Sequence, residues 1–151
     1  MNSLSDIAGE ICKVVFPIHD EVFLGNNGSS IAICTLSSMD LLKEISRSDM
    51  MGKIAIVGRL LSENKGIDEL VRHIVKNQNI KTLIVCGKEV SGHKTGHALV
   101  SLYKYGINNA RIVNSHSPNP FLTVSEQEVR KFQKQITLVD KIGETRLDRI
   151  I

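Results

Sequence analysis

The chain has no tryptophan, and aromatic residues make up only 4% of its 151 positions. Single-strand nucleic-acid binders stack bases on aromatic side chains, a platform that is hard to build here. No block of one charge exists either. The 19 Lys and Arg are spread among 16 Asp and Glu, for a formal net charge of +3, so no nucleic-acid partner is expected. No apolar run approaches the ~18 residues of a membrane span. The opening MNSLSDIAGEICKVVF lacks the basic start and long apolar stretch of a signal peptide. A soluble, cytoplasmic chain with no membrane insertion of its own is the expectation. Cysteine is scarce, with three residues. Cys34 and Cys86 lie in apolar, strand-like runs and are expected to be small buried hydrophobes in a reducing compartment.

What the chain does have is an ordinary globular mixture, 42% hydrophobic and 23% charged, over the length of about one domain. Residues 1–151 are therefore read as a single domain. Ile7, Ile11, Val14 and Val15 share a side at helical spacing, which predicts an amphipathic helix over 5–15 capped by Ser5 and ended by Pro17. Val22-Phe23-Leu24, the turn Gly25-Asn26-Asn27-Gly28 and Ile31 to Leu36 read as a hairpin leading into a buried strand. Ser37-Ser38 is expected to cap a helix near 39–47. Lys53 to Gly58 reads as a second buried strand, and residues 66–76 as a helix with Ile67, Leu70, Val71 and Ile74 inward.

Thr82-Leu83-Ile84-Val85-Cys86 is continuously apolar, as a central parallel strand covered on both faces should be. A helix from about 93 to 105 follows, carrying Ala98, Leu99, Leu102 and Tyr103, with Gly106 as its stop. Arg111-Ile112-Val113 is expected as a fourth strand. Residues 124–141 read as one long helix with Val129, Phe132, Ile136 and Val139 inward. Alternating strands and helices imply an α/β fold: a Rossmann-like open sheet, mostly parallel, with helices on both faces.

Ligands of such sheets bind beyond the carboxyl ends of the strands, so the segments after residues 36, 58, 86 and 113 carry the candidate chemistry. Ser62, Glu63 and Asn64 approach a helix N-terminus. Asn114 to Phe121 is a loop rich in Ser and Pro. The densest segment is Gly87-Lys88-Glu89-Val90-Ser91-Gly92-His93-Lys94-Thr95-Gly96-His97, with three glycines, two imidazoles, a carboxylate and hydroxyls. Residue types leave two readings open. It is a polar loop capping a helix through Glu89 and Ser91 or Thr95, or it is a ligand site. Neither GxGxxG nor GxxxxGK[ST] is present, which lowers a nucleotide reading. His73 reads as a solvated mid-helix residue, and His93 with His97 at i, i+4 lacks a third ligand for zinc.

Three segments carry a family resemblance: Ser62-Glu63-Asn64-Lys65-Gly66-Ile67, then Cys86 to Gly96, then Pro120-Phe121 with Phe132-Gln133-Lys134-Gln135. With Leu24-Gly25-Asn26 and Ala32 to Leu36 they run in order over about residues 20–142. The chain resembles the A subunit of tetrahydromethanopterin S-methyltransferase. That resemblance implies a cobalamin or related cobamide on a Rossmann-like cytoplasmic domain, in archaeal methanogenesis and one-carbon metabolism. A methyl group passes from methyl-tetrahydromethanopterin through cobalt to coenzyme M, and possible partner methyltransferase proteins follow from it.

Within the Gly-His-x-Thr-Gly motif the resemblance makes His93 the lower cobalt ligand. Its second ring nitrogen then needs a partner, for which Glu89, Ser62 and Glu63 are the candidates. The cofactor-binding set is Ser62, Glu63, Asn64, Gly87, Lys88, Glu89, Gly92, His93, Thr95, Gly96, Ser115 and Pro120, and His93 is the metal ligand. Loss of His93 from cobalt after methyl transfer, with a loop movement, is part of the same implication.

Some positions depart from the family. Ser91 stands where the common cobalamin-binding Asp-x-His-x-x-Gly pattern has aspartate. His97 replaces a usual glutamine, and Ser115, His116 and Ser117 replace small glycines. Family members usually carry a carboxy-terminal membrane anchor, so a chain ending at Ile151 is expected to be a soluble homologue. The first functional expectation is a corrinoid methyl carrier. The alternatives are a regulatory or scavenging corrinoid module without methyl transfer, and a nucleotide-binding enzyme using Lys88, Glu89 and His93.

Overall fold

Runs that are apolar at every position become the middle of a parallel sheet. The computed structural model of the chain describes residues 22–151, so the helix expected over 5–15, with Ser5 and Pro17, lies outside the described residues. The sheet has five strands: β1 (Val22–Leu24), β2 (Ile31–Cys34), β3 (Ile56–Gly58), β4 (Thr82–Val85) and β7 (Thr137–Asp140). Their order is β1-β3-β2-β4-β7, with β3, β2, β4 and β7 parallel and β1 antiparallel to β3. The register sets Cys34 beside Gly58 and Val85, and Val85 beside Asp140. The carboxyl ends of the four parallel strands therefore form one row, and the segments that follow them gather on one edge.

Four helices cover the sheet: α1 (Met39–Ser46), α2 (Lys65–Lys76), α3 (Thr95–Tyr105) and α4 (Glu126–Gln135). Successive strand residues point to opposite faces. Ala32, Leu83 and Val85 join Ile67, Val71, Leu99, Leu102 and Phe132 in one cluster. Ile33 and Ile84 join Leu41, Leu42 and Ile45 of α1 in another. Helices thus lie on both faces, α2, α3 and α4 on one and α1 on the other. Gly106 closes α3 at φ +77°, as expected of a glycine stop.

Three expectations are corrected. Val22–Leu24 does not form a hairpin with the next strand; it crosses to pair with β3, Phe23 opposite Val57. Ile31 to Leu36 leads into the sheet without it. Arg111-Ile112 is a strand, as expected, but not one of the main sheet. Asn109 and Ala110 both have positive φ, +51° and +68°. That is the geometry of a tight hairpin turn, and it pairs β5 (Ile107–Asn108) with β6 (Arg111–Ile112) apart from the main sheet.

Residues 124–141 are not one helix. A capping box starts α4, with the Ser125 Oγ accepting from the Glu128 N–H at 3.1 Å and Glu128 Oε1 accepting from the Ser125 N–H at 3.1 Å. The helix ends where Ile136-Thr137-Leu138-Val139 concentrates β-branched residues. From Thr137 to Asp140 the chain pairs as β7 with β4, Thr137 opposite Thr82.

Cys34 and Cys86 are buried side by side, and burial comes first among the causes that push both thiols up to about 12. A thiol held there is almost wholly protonated at neutral pH and inert. Peptide mapping after iodoacetamide treatment of the native chain should find Cys34 and Cys86 unmodified, and modified only once denaturant is added.

Candidate functional site

The segment after β3 and the segment after β4 meet through one buried carboxylate. His93 Nδ1 lies 3.0 Å from Glu63 Oε1, and the other carboxylate oxygen accepts the Asn119 N–H at 2.9 Å. The Glu63 side chain is 3% exposed and that of His93 53%. Burial alone would raise the Glu63 pKa, yet bonds from its own N–H, the Asn119 N–H and His93 outweigh it and hold the carboxyl below its ordinary value. An ionised carboxylate only accepts, so Nδ1 is the donor in this pair, and in the neutral ring the lone pair is then on Nε2. Among the described residues no hydrogen bond engages Nε2. Of the three proposed partners for His93, Glu63 is the one that reaches it.

Ser62 and Glu89 hold backbone instead. Ser62 Oγ accepts the Gly66 N–H at 2.7 Å, at the start of α2. Glu89 accepts from the N–H groups of Val90, Gly96 and His97 at 2.8–2.9 Å, so its carboxylate caps α3 where the helix end attracts negative charge. The helix-cap reading of the Gly87 to His97 segment is thus correct for Glu89, while Thr95 bonds the Leu61 carbonyl at 3.2 Å. The helix begins at Thr95, two residues later than expected, because Lys94 is left-handed at φ +50°, ψ +46°. That kink presents His93 from a loop on the rim of the α3 N-terminus.

Ser38 stands at the N-cap of α1, as expected, but neither serine side chain bonds to the helix: Ser37 Oγ donates to the Lys88 carbonyl at 2.8 Å and Ser38 Oγ accepts the Lys88 N–H at 2.8 Å. They fasten the segment after β2 to the segment after β4. Lys88 itself is exposed. Gly87 sits at φ +78° against the Thr35 carbonyl, and Gly96 is packed where a side chain would meet Leu36, Ile142 and Glu89. Gly92, at φ +80°, has open space around it.

The loop after β6 completes the rim although it does not follow a sheet strand. Ser117 Oγ donates to the Lys94 carbonyl at 3.1 Å, Ser115 Oγ accepts the Ser117 N–H at 3.2 Å, and the Asn64 Nδ2 donates to the Asn119 carbonyl at 3.2 Å. Pro120 is buried behind it. His116 stacks on His97, ring centroids 4.7 Å apart at 24°, and the His97 Nδ1 is buried without a hydrogen bond. Asn119, whose backbone completes the shell around Glu63, escaped the sequence reading because a backbone donor leaves no signature in residue types.

The structure therefore joins Glu63, His93, Asn64 and the 115–119 loop directly, with Glu89, Thr95 and Gly96 as the frame beneath them. Lys88 and Gly92 flank the group without bonding to it. His73 is a correction. It is half-buried in the wall of a cavity under α2, and burial, then Lys76, lowers its pKa. Among the described residues no three His, Cys, Asp or Glu side chains come together to hold a metal ion. No helix there is long and apolar enough to cross a membrane.

The family model for the A subunit of tetrahydromethanopterin S-methyltransferase matches residues 13–151. The chain is 35% identical over 130 residues to a protein from Methanosarcina barkeri named as the A subunit of a methyltransferase Mtx, covering 85% of this chain and 62% of that one. The tetrahydromethanopterin S-methyltransferase A subunit of Methanohalophilus mahii is 35% identical over 125 residues, 82% of this chain and 50% of its own length. Its counterpart of the same name in Methanohalobium evestigatum is 40% identical over 98 residues, 64% of this chain and 41% of that protein. The chain thus spans about three fifths or less of the relatives it matches. A family match over nearly all of its length, with relatives that agree, shows that this chain belongs to the family of tetrahydromethanopterin S-methyltransferase A subunits.

Proposed function

We propose that the chain is a single Rossmann-like domain that binds a corrinoid, cobalamin or a related cobamide, with His93 as the residue that would hold its cobalt from below. In this reading it carries a methyl group between partner methyltransferase proteins in the cytoplasm. The observation that carries it is the Glu63–His93 pair: a buried carboxylate fixes the proton on Nδ1 and leaves the Nε2 lone pair on a half-exposed ring. Metal-ligating histidines are held in this way, and the carboxylate raises the basicity of the donor nitrogen.

The donor set fits the group. A corrin already supplies most of cobalt's coordination, so the protein needs one imidazole rather than the three-ligand centre that is missing among the described residues. A bound corrinoid would supply a cobalt atom able to take up and give away a methyl group. The chain's own part is binding and orientation. Lys94 in its left-handed turn and the Glu89 cap fix where His93 stands, while on the opposite rim Ser117 Oγ donates to the Lys94 carbonyl and the Asn119 N–H to the Glu63 carboxylate. Because Ser62, Glu89, Ser115, Thr95 and Gly96 are buried or bonded to backbone, they shape the site. Asn64, Lys88, Gly92 and His93 remain at its surface, with Gly87 and Pro120 behind them.

Cobinamide, which lacks the nucleotide base, tests this directly, since any nitrogen ligand must come from the protein. Mixed with the full chain and reduced to Co(II), it should show nitrogen splitting in its EPR spectrum, and the splitting should vanish in His93→Ala. An identical spectrum in both proteins would overturn the assignment.

A further inference from the structure

The loop after β6 is held by side chains rather than by backbone. Its base is closed by the Ile112 N–H on the Pro120 carbonyl at 2.9 Å. From Asn114 to Asn119, however, one backbone N–H among the described residues, that of Ser115, donates to a backbone carbonyl, and at 3.4 Å that bond is long. Asn114 is left-handed at φ +63°, and Pro118 has no N–H to offer. Where the loop stands is therefore decided by what its side chains reach.

Two of those contacts fasten it to the start of α3. Ser117 Oγ donates to the Lys94 carbonyl, and the His116 ring lies on the His97 ring. A centroid separation of 4.7 Å with 24° between the planes is the geometry of an aromatic stack. The His97 Nδ1 is buried without a hydrogen bond, so this ring meets the loop with its face and not through that nitrogen. The far end of the loop reaches the site. Asn119 gives its N–H to Glu63 and takes the Asn64 amide on its carbonyl, and Glu63 accepts from His93 Nδ1. His116 and Asn119 are three positions apart, and Pro118 between them has a fixed φ, so a shift at one end is carried to the other.

We infer that His97 and His116 are a positioning pair for the site. Their stack keeps the 115–119 loop against α3, so that the Asn119 N–H stays on Glu63 and the carboxylate stays aimed at His93. Among the described residues neither ring bonds to Glu63 or His93, and the pair acts through the loop. The inference concerns the ligand-free protein first; its consequence for a bound corrinoid rests on the reading proposed above.

Amide hydrogen exchange on the full, ligand-free chain tests it. In His116→Ala the Asn119 N–H should exchange about tenfold faster, the factor expected when an aromatic stack no longer opposes a local opening. The Val124 N–H, held by Asp68 at 3.0 Å, is the reference and should keep its rate. His116→Phe retains a ring and should restore the parent's rate at Asn119. His97→Gln should match His116→Ala, and the double variant should exceed neither, because all three lose one and the same contact. His97→Gln decides in place of any His116 variant that fails to fold. Cobinamide should bind His116→Ala roughly threefold more weakly than the parent, with the nitrogen splitting from His93 retained, and His116→Phe as tightly as the parent.

An unchanged Asn119 rate in His116→Ala overturns the inference, as does a rise shared by Val124, a failure of His116→Phe to restore the rate, or additive effects in the double variant. Cobinamide affinity unmoved by a variant that frees Asn119 overturns it too, since the pair then positions nothing the ligand needs. If cobinamide gains no protein nitrogen even in the parent, the corrinoid reading falls instead, and the exchange rates alone decide this one.

Discussion

Gly87→Ala is expected to destabilise the fold by about 4 kcal/mol, read as a lower urea midpoint at unchanged slope and a melting temperature lower by on the order of 10 °C. Two effects add. The residue sits at φ +78°, a region that costs an L-residue roughly 1–2 kcal/mol. A methyl group there would also run into the Thr35 carbonyl oxygen and lie 3.0 Å from the Ser38 Cβ, an overpacking that costs about 1–3 kcal/mol more.

The backbone cannot step aside, because the Gly87 N–H donates to the Glu144 carbonyl and its own carbonyl accepts the Gly143 N–H, both at 2.7 Å. Gly92→Ala is the control. Its φ is +80° but nothing lies within 4 Å of the added carbon, so its loss should stay near 1 kcal/mol. A difference of less than about 1 kcal/mol between the two variants would show that the close approach of the β2 and β4 segments is not what Gly87 serves.

This contrast also marks what could be read from residues in order. Both glycines were legible as loop glycines near a site, but only the packed neighbours separate a position that must be glycine from one that merely is. The central runs Ile31 to Cys34 and Thr82 to Val85 were legible because a strand buried on both faces is apolar at every position. The stretch 124–141 misled because Val129, Phe132, Ile136 and Val139 keep helical spacing by coincidence. The β-branched Ile136, Thr137 and Val139 were the contrary signal, and the partner that makes Thr137–Asp140 a strand, β4, is about 55 positions away. His93 was legible through its motif. Glu63 could only be one of three candidates, because choosing among them requires knowing that Ser62 and Glu89 are occupied by the N-termini of α2 and α3.

Glu63→Gln should lower corrinoid affinity ten- to a hundredfold while leaving His93 in place. The size follows from the usual effect of removing a partner that orients a metal-ligating histidine. Glutamine has one accepting and one donating end, whereas the carboxylate in this site accepts on both. Its oxygen would take the Asn119 N–H, turning the amide N–H₂ toward His93 Nδ1. The imidazole must then accept at Nδ1, which moves its proton to Nε2 and removes the lone pair that cobalt needs. Nitrogen-15 NMR of the ligand-free protein reads this switch without any cofactor: a proton on Nδ1 in the parent and on Nε2 in Glu63→Gln.

Acid stability gives a second readout. The folded Glu63 carboxyl lies below its ordinary value, so in the acid range the unfolded chain binds more protons at this position than the folded one. The stability it contributes is complete above the ordinary glutamate pKa and is lost as pH falls through the lower folded value. Glu63→Gln should lack that part of the acid dependence. An unchanged His93 tautomer in the variant, with corrinoid affinity intact, would show that the carboxylate does not set the imidazole's donor nitrogen.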